Sequence, residues 1–158
     1  MPRVKKSAVC ILFKDLSVLL VKRSENLSQH AGEIGFPGGM VKIGESPLNA
    51  LLREIEEELG LNPVDYSIVG ELKPVKTAVT NIKVYPYVAT ISHEVIIKPS
   101  DEIVAWDFIP LIDLRPLVYT DLVETRLGTV WGATARIIRN LFKEGRKFLP
   151  EIFSIIPE

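Results

Sequence analysis

The chain has 158 residues, 47% hydrophobic and 25% charged, with a formal net charge of −1. This length and balance suit a single globular domain, 1–158, with a sizeable core. They exclude an overall basic field for a nucleic-acid polymer, and no apolar run approaches the ~20 residues of a membrane span.

The N-terminus, MPRVKKSAVCILF, begins basic and turns apolar, in the manner of a secretory leader. Asp15 interrupts the apolar stretch and no small-residue cleavage site follows, so the segment reads as a first strand, 4–13. Lys14-Asp15 marks a turn into a second strand, 17–22. The single Cys10 lies in the first strand and can form no internal disulfide; a buried thiol in a reducing cytoplasm is the expectation. A loop over 23–38 follows, ending in Phe36-Pro37-Gly38-Gly39. A helix is predicted over 46–59, strands near 66–75 and 82–92, a strand over 103–109 and a helix over 130–144. The segment from Phe148 to Glu158 carries Phe153, Ile155 and Ile156, and docks either on the body or on a partner subunit in a homodimer. Strands interleaved with two helices predict a mixed sheet with helices on both faces, an α/β (α+β) architecture.

The central helix is the best specified element. Ser46 suits the N-cap, Pro47 the first helical position and Gly60 the left-handed position past the end. Leu48, Leu51, Leu52, Ile55 and Leu59 recur at helical spacing and form one apolar stripe. Glu54, Glu57 and Glu58 stand at i, i+3 and i+4 and share a second face, roughly 120° away at ~100° per residue. Clustered glutamates repel one another by a few tenths of a kcal/mol per pair, so such a face is either solvated or meets a cation. The run is joined, at set offsets, to Gly39, Glu45, Arg53 and Gly60, which favours the cation. Mg²⁺ and Mn²⁺ take oxygen ligands and neutralise the dense charge of a diphosphate that carboxylates alone would repel. Arg53 is the partner that holds Glu45 or a neighbouring carboxylate in place.

Gly39-x5-Glu45-x7-Arg53-Glu54-Ile55-x-Glu57-Glu58-x-Gly60-Leu61 matches the Nudix box at every specified position. The chain therefore resembles Nudix hydrolases, which cleave a nucleoside diphosphate linked to another moiety. The resemblance implies an α/β/α sandwich with a loop–helix–loop catalytic box. It implies Glu54, Glu57 and Glu58 as ligands of Mg²⁺ or Mn²⁺, the Gly39 carbonyl as a further ligand, and Glu45 and Arg53 as the supporting pair. Upstream, LLVKRSENLSQHAGEIGFPGG over residues 19–39 resembles the additional signature of the coenzyme A pyrophosphatase branch. Leu19, Leu20, Arg23, Ser24, Gly32, Phe36, Pro37, Gly38 and Gly39 match it; Val21 replaces a threonine and Ser28 an arginine. A hydroxyl at 28 does not replace a guanidinium as a phosphate ligand, which bears on recognition of the CoA 3′-phosphate and leaves the hydrolytic chemistry intact.

The resemblance continues through Val84-Tyr85-Pro86-Tyr87-Val88-Ala89, through Trp106 to Leu114 (a strand and short helix), and through Trp131-Gly132-Ala133-Thr134-Ala135-Arg136. Arg23, His30, Gly32, Phe36, Gly38 and Gly39 are the expected substrate contacts. Members of the family often add a carboxylate from outside the box; Glu102, then Asp101, is the candidate, with Glu57 or Glu58 as other candidates for the base. Trp106, Tyr85 and Tyr87 read as sheet core rather than as an adenine stack. The expected activity is cleavage of CoA or a derivative to 3′,5′-ADP and a phosphopantetheine product, with ADP-ribose, NADH or a damaged nucleoside triphosphate as the alternative substrates. A non-catalytic nucleotide-binding module is a distant third, since such modules usually lose box glutamates. The partners expected are a small CoA-like nucleotide and no nucleic-acid polymer or membrane.

Overall fold

The structure, a computed structural model, describes residues 4–27 and 30–156. Strand β1 (Lys5–Lys14) turns into β2 (Ser17–Arg23) through a two-residue loop, with Asp15 in the left-handed region at φ 52°. Asp tolerates that conformation, and it matches the twist of a tight hairpin. The segment read as a loop contains two short strands, β3 (Ile34–Gly35) and β4 (Gly38–Met40). Strand β3 pairs with the end of β2, while β4 takes over the edge of β1 at Ser7, Ala8 and Val9. Helix α1 (Pro47–Leu59) follows.

Beyond α1 come β5 (Tyr66–Glu71), β6 (Val75–Lys76), β7 (Ile82–Ile91) and β8 (Ile103–Pro110). The expected strand near 66–75 is thus broken in two, because Pro74 has no N–H to give a ladder. Strand β7 runs parallel to β1 from Lys5↔Ile82 to Phe13↔Thr90, β5 and β6 line its outer edge antiparallel, and β8 lies antiparallel on the outer edge of β2. The sheet is therefore mixed, as expected.

A short helix α2 (Leu111–Leu114) leads to a hairpin of β9 (Val123–Thr125) and β10 (Gly128–Val130), which the sequence reading missed. Helix α3 (Gly132–Glu144) and a one-turn helix α4 (Pro150–Phe153) complete the fold.

Residues of β1 alternate between two cores. Ala8, Cys10 and Leu12 face α1 with Ala50, Leu51, Ile55 and Leu59. Ile11 and Phe13 face α3 with Ile137, Ile138 and Leu141. This is the α/β/α sandwich, and the period-two alternation of β1 is what divides it. Two residues of the predicted apolar stripe lie outside the fully buried core: Leu48 is exposed and Leu52 half-buried, while Ala50 takes a core place. The C-terminal segment docks on its own domain through Leu149, Ile152, Phe153 and Ile156, filling the α3-side core. Among the described residues no helix is long and apolar enough to cross a membrane.

Candidate active site

Helix α1 is held where its sequence says. The Ser46 hydroxyl accepts from the Asn49 N–H at 3.1 Å, and Gly60, at φ 69°, donates to the Glu56 carbonyl. Each end of the helix thereby gains a cap. Its acidic face lies over β4, and each glutamate there has a different setting.

Glu54 packs its carboxylate against Gly39. A Cβ at Gly39 would stand 2.3 Å from the Glu54 carboxyl carbon, so only glycine leaves room for it. Arg53 holds the other side, with Nη1 2.8 Å from Glu54 Oε1. The same guanidinium forks onto Glu45, Nε to Oε2 and Nη2 to Oε1, both at 2.9 Å, and also donates to the Met40 carbonyl at 3.1 Å. The hydrogen bonds from Arg53 and the Lys42 N–H hold the Glu45 carboxyl down at about 2. Burial raises the Glu54 pKa, with Arg53 opposing and Glu57 and Glu102 adding to the rise. Glu57 is exposed and touches Arg53 at 3.4 Å.

Glu58 is buried at 4% exposure. Burial pushes its carboxyl up to about 7, opposed by the Gly38 N–H, which donates to Oε2 at 3.2 Å. Glu54 and Glu102 push in the same direction as burial, and Arg23, with Nη1 3.8 Å from Oε1, opposes them.

The β1–β4 register decides which backbone oxygen faces this group. In an antiparallel ladder, residues alternate between those bonded across the pair and those turned outward. The Cys10 N–H donates to the Pro37 carbonyl and the Val41 N–H to the Lys6 carbonyl. With Ala8 opposite Gly39, the alternation turns the Gly39 carbonyl into the ladder. Gly38 and Met40 are the outward residues, as their bonds to Glu58 and Arg53 show. This corrects the expectation for Gly39: its part is to make room for Glu54, and the outward backbone oxygen belongs to Gly38.

The segment after β7 supplies the fourth carboxylate. Ser100 N–H donates to the Glu58 carbonyl and Ser24 N–H to the Glu102 carbonyl, which ties this turn to both α1 and β2. Glu102 lies near enough for its charge to act on Glu54 and Glu58 alike. Asp101 lies exposed in the same turn.

On the other face of the sheet, a compartment of about 220 Å³ is lined by Arg23, His30, Phe36, Gly38 and Gly39, among others. Of the expected substrate contacts only Gly32 is not among its walls. Gly32 holds a left-handed turn at φ 71°, donating its N–H to the Arg23 carbonyl. His30, also left-handed, places Nδ1 2.8 Å from Glu33 Oε2. Ser28, where the expected arginine is missing, lies outside the described residues.

Glu54, Glu57, Glu58 and the Gly38 carbonyl are all oxygen donors, the kind Mg²⁺ and Mn²⁺ take. Burial raises the carboxyls of Glu54 and Glu58, neighbouring carboxylates add to the rise, and a cation between them would favour their charged forms. The donors therefore fit. Among the described residues the side chains do not already converge into a three-donor cage. Arg53 and Arg23 each hold a carboxylate, and Glu57 points to solvent.

The chain matches the NUDIX domain model over residues 4–126. It belongs to the Nudix family. Nudix hydrolase NudL of Escherichia coli K12, itself uncharacterized, is 37% identical over 140 residues, covering 78% of this chain and 72% of the relative. Nudix hydrolase 3 of Caenorhabditis elegans is 41% identical over 102 residues, 62% of this chain; the chain spans only 42% of that protein. Among solved structures, the MutT protein of Methanosarcina mazei superposes with a TM-score of 0.63 at 25% identity, over 91% of this chain and 96% of that one. A MutT/nudix family protein of Enterococcus faecalis reaches 0.68 at 16% identity, over 98% of this chain and 68% of that one, a likeness of fold alone. This Nudix chain is accordingly a hydrolase, of a family that works on small nucleotide substrates with divalent metals.

Sequence reasoning did not single out Glu33, Thr77, Thr134 and Trp131, which line the cavities on the α3 face of the sheet. For Trp131 a signal was present: a tryptophan just before Gly132, at the start of a helix. Of the three aromatics read as sheet core, Tyr87 is buried and Tyr85 half-buried in the sheet layer, whereas Trp106, on the edge strand β8, is exposed.

Proposed function

We propose that this Nudix hydrolase is a divalent-metal-dependent pyrophosphohydrolase that cleaves the diphosphate of coenzyme A or a derivative, giving 3′,5′-ADP and a phosphopantetheine product. One observation carries the reading. The guanidinium of Arg23, from the upstream signature, stands against Glu58 of the box and lines the compartment behind Gly38 and Gly39. That contact supports reading the two motifs as parts of one site. Glu54, Glu57, Glu58 and the Gly38 carbonyl would hold Mg²⁺ or Mn²⁺, which when bound neutralises the diphosphate oxygens and acidifies a bound water. Arg23 binds and orients a phosphate. Arg53 fixes Glu54 and Glu45, and Glu102 accepts the proton of the attacking water. That water's oxygen forms a bond to one phosphorus; the bond from that phosphorus to the bridging oxygen breaks, and the other phosphate leaves with the electron pair.

The second reading, ADP-ribose, NADH or a damaged nucleotide, is favoured by Ser28, which withholds the guanidinium expected for the 3′-phosphate. The test is product analysis with Mg²⁺ or Mn²⁺ and a panel of CoA, ADP-ribose, NADH and dNTPs, with Glu58→Gln as control. CoA should give 3′,5′-ADP at the highest kcat/KM, and Glu58→Gln should abolish turnover. A higher kcat/KM for ADP-ribose or a dNTP refutes the CoA reading, and a fully active Glu58→Gln protein refutes the box assignment. Ser28→Arg should raise selectivity for CoA over dephospho-CoA.

A further inference from the structure

The compartment behind Gly38 and Gly39 adjoins a second, larger cavity of about 460 Å³ between the 77–80 turn and the start of α3. His30, Glu33, Ile34, Thr77, Ala133 and Thr134 belong to both, so the two cavities adjoin along a shared wall. The volume of the larger cavity falls within the ~300–1,000 Å³ of small-molecule sites. At its far end stand two large apolar side chains from separate elements: Trp131, 56% exposed, and Val79, 95% exposed. Leaving both open to water is unfavourable, and a flat apolar group between the walls would cover them. The 77–80 turn is braced rather than loose: Thr77 Oγ1 accepts from the Ile82 N–H at 2.8 Å and meets Thr80 Oγ1 at 2.6 Å.

The charges choose the occupant. Arg23, suited to phosphate, is at the glycine end. Further along, Glu33 lines both compartments with its Oε2 2.8 Å from His30 Nδ1, and Arg136 gives its Nη2 to the Lys76 carbonyl. A carboxylate repels phosphate and accepts hydrogen bonds from amino hydrogens. The far end therefore suits a neutral planar ring with exocyclic donors, joined to a phosphate that lies near Arg23.

We propose that this cavity seats the nucleobase of the substrate, with the Trp131 indole as its stacking surface and Glu33 as acceptor for the base's amino group. Trp131 is then a specificity-determining residue. The inference rests on the reading of a nucleoside diphosphate at the box, and it assigns the base, rather than the leaving arm, to the α3 side. Base–aromatic stacking is worth roughly a five- to 150-fold change in affinity on truncation to alanine.

The chain has two tryptophans, Trp106 and Trp131, so a Trp106→Phe protein reports Trp131 fluorescence alone. In EDTA it is titrated to millimolar concentrations with AMP, ribose 5-phosphate and 4′-phosphopantetheine. Saturable quenching by AMP, with no change from the other two, is expected. No quenching by AMP, or equal quenching by ribose 5-phosphate, overturns the proposal; quenching by phosphopantetheine alone reverses the orientation and overturns it too. This binding arm needs no turnover, so its failure is distinct from a failure of the hydrolase reading. In the kinetic arm, Trp131→Ala raises KM for the preferred nucleotide at least fivefold with kcat within twofold, and Trp131→Phe restores it. A loss of kcat at unchanged KM counts against the stacking role.

Discussion

Replacing Gly39 with alanine separates the part of the box that makes room from the part that carries charge. Gly39 lies outside the left-handed region, so alanine meets no backbone penalty there. What it meets is Glu54: the new Cβ would stand 2.3 Å from the carboxyl carbon and 2.5 and 2.6 Å from its oxygens. An ordinary contact is 3.4 Å or more, so the carboxylate must retreat by about 1 Å or rotate out of the site. Misplacing a positioned group by 1 Å costs on the order of 10²-fold in rate, or about 2.7 kcal/mol in the barrier. The side chain can swing toward solvent, so the fold survives. The assay is kcat at saturating metal and substrate beside a thermal melt, with Gly44→Ala as control. Gly44 is left-handed at φ 83° with nothing within 4 Å of a new Cβ. Its alanine variant loses about 1 kcal/mol, or roughly 2–4 °C in Tm, for the strained φ and keeps its activity. If Gly39→Ala keeps kcat within threefold of wild type, the packing of Glu54 against Gly39 has no part in catalysis.

Arg53→Lys keeps the charge and loses the fork onto Glu45, so the metal concentration needed for half-maximal activity should rise roughly 10–100-fold; metal titration of the rate reads it. Burial pushes the Cys10 thiol and the Tyr66 hydroxyl each up to about 12. Both groups keep their protons in the fold while the unfolded chain ionises from about 9 and 10. Their stabilisation is therefore complete below pH 9 and lost as pH rises toward 12: Tm should fall across that window, less steeply in Cys10→Ala, and native Cys10 should resist iodoacetamide at pH 8. Phe153 lies against Phe13 and Phe142 with 3% exposure, so Phe153→Ala should cost about 3–5 kcal/mol in denaturant unfolding.

Helix α1 was legible because every rule it obeys is local. Ser46, Pro47 and Gly60 each mark an end, and the four-residue spacing of Leu51, Ile55 and Leu59 marks the buried face. Strands β3 and β4 were not legible, for they are two and three residues long and too short to show alternation. They exist because β2 stays paired with β1 only near the hairpin, at Phe13 and Lys14, and leaves the rest of that edge to β4. The β9–β10 hairpin is short for the same reason, and its one mark was Gly128, at φ 136°. The choice between the Gly38 and Gly39 carbonyls follows the same rule: the motif names the glycine, and only the register against Ala8 says which oxygen turns outward.

Glu102 shows how a remote carboxylate is brought to the box. The last carbonyls of a helix lack intrahelical partners. In α1 the Glu58 carbonyl receives the Ser100 N–H and the Leu59 carbonyl receives the Lys98 N–H. The chain that ends the helix is thus the chain that carries Glu102, and the Ser24 N–H then takes the Glu102 carbonyl into register beside Arg23. Helix termination and site assembly are one set of backbone bonds. Side-chain substitutions in the 98–103 segment that spare those N–H groups should therefore leave the placement of Glu102 intact, whereas Ser100→Pro removes one of them. That variant should lose activity in step with Glu102→Gln while α1 itself, capped by Gly60, remains folded by circular dichroism; full activity of Ser100→Pro would show that Glu102 is placed by something else.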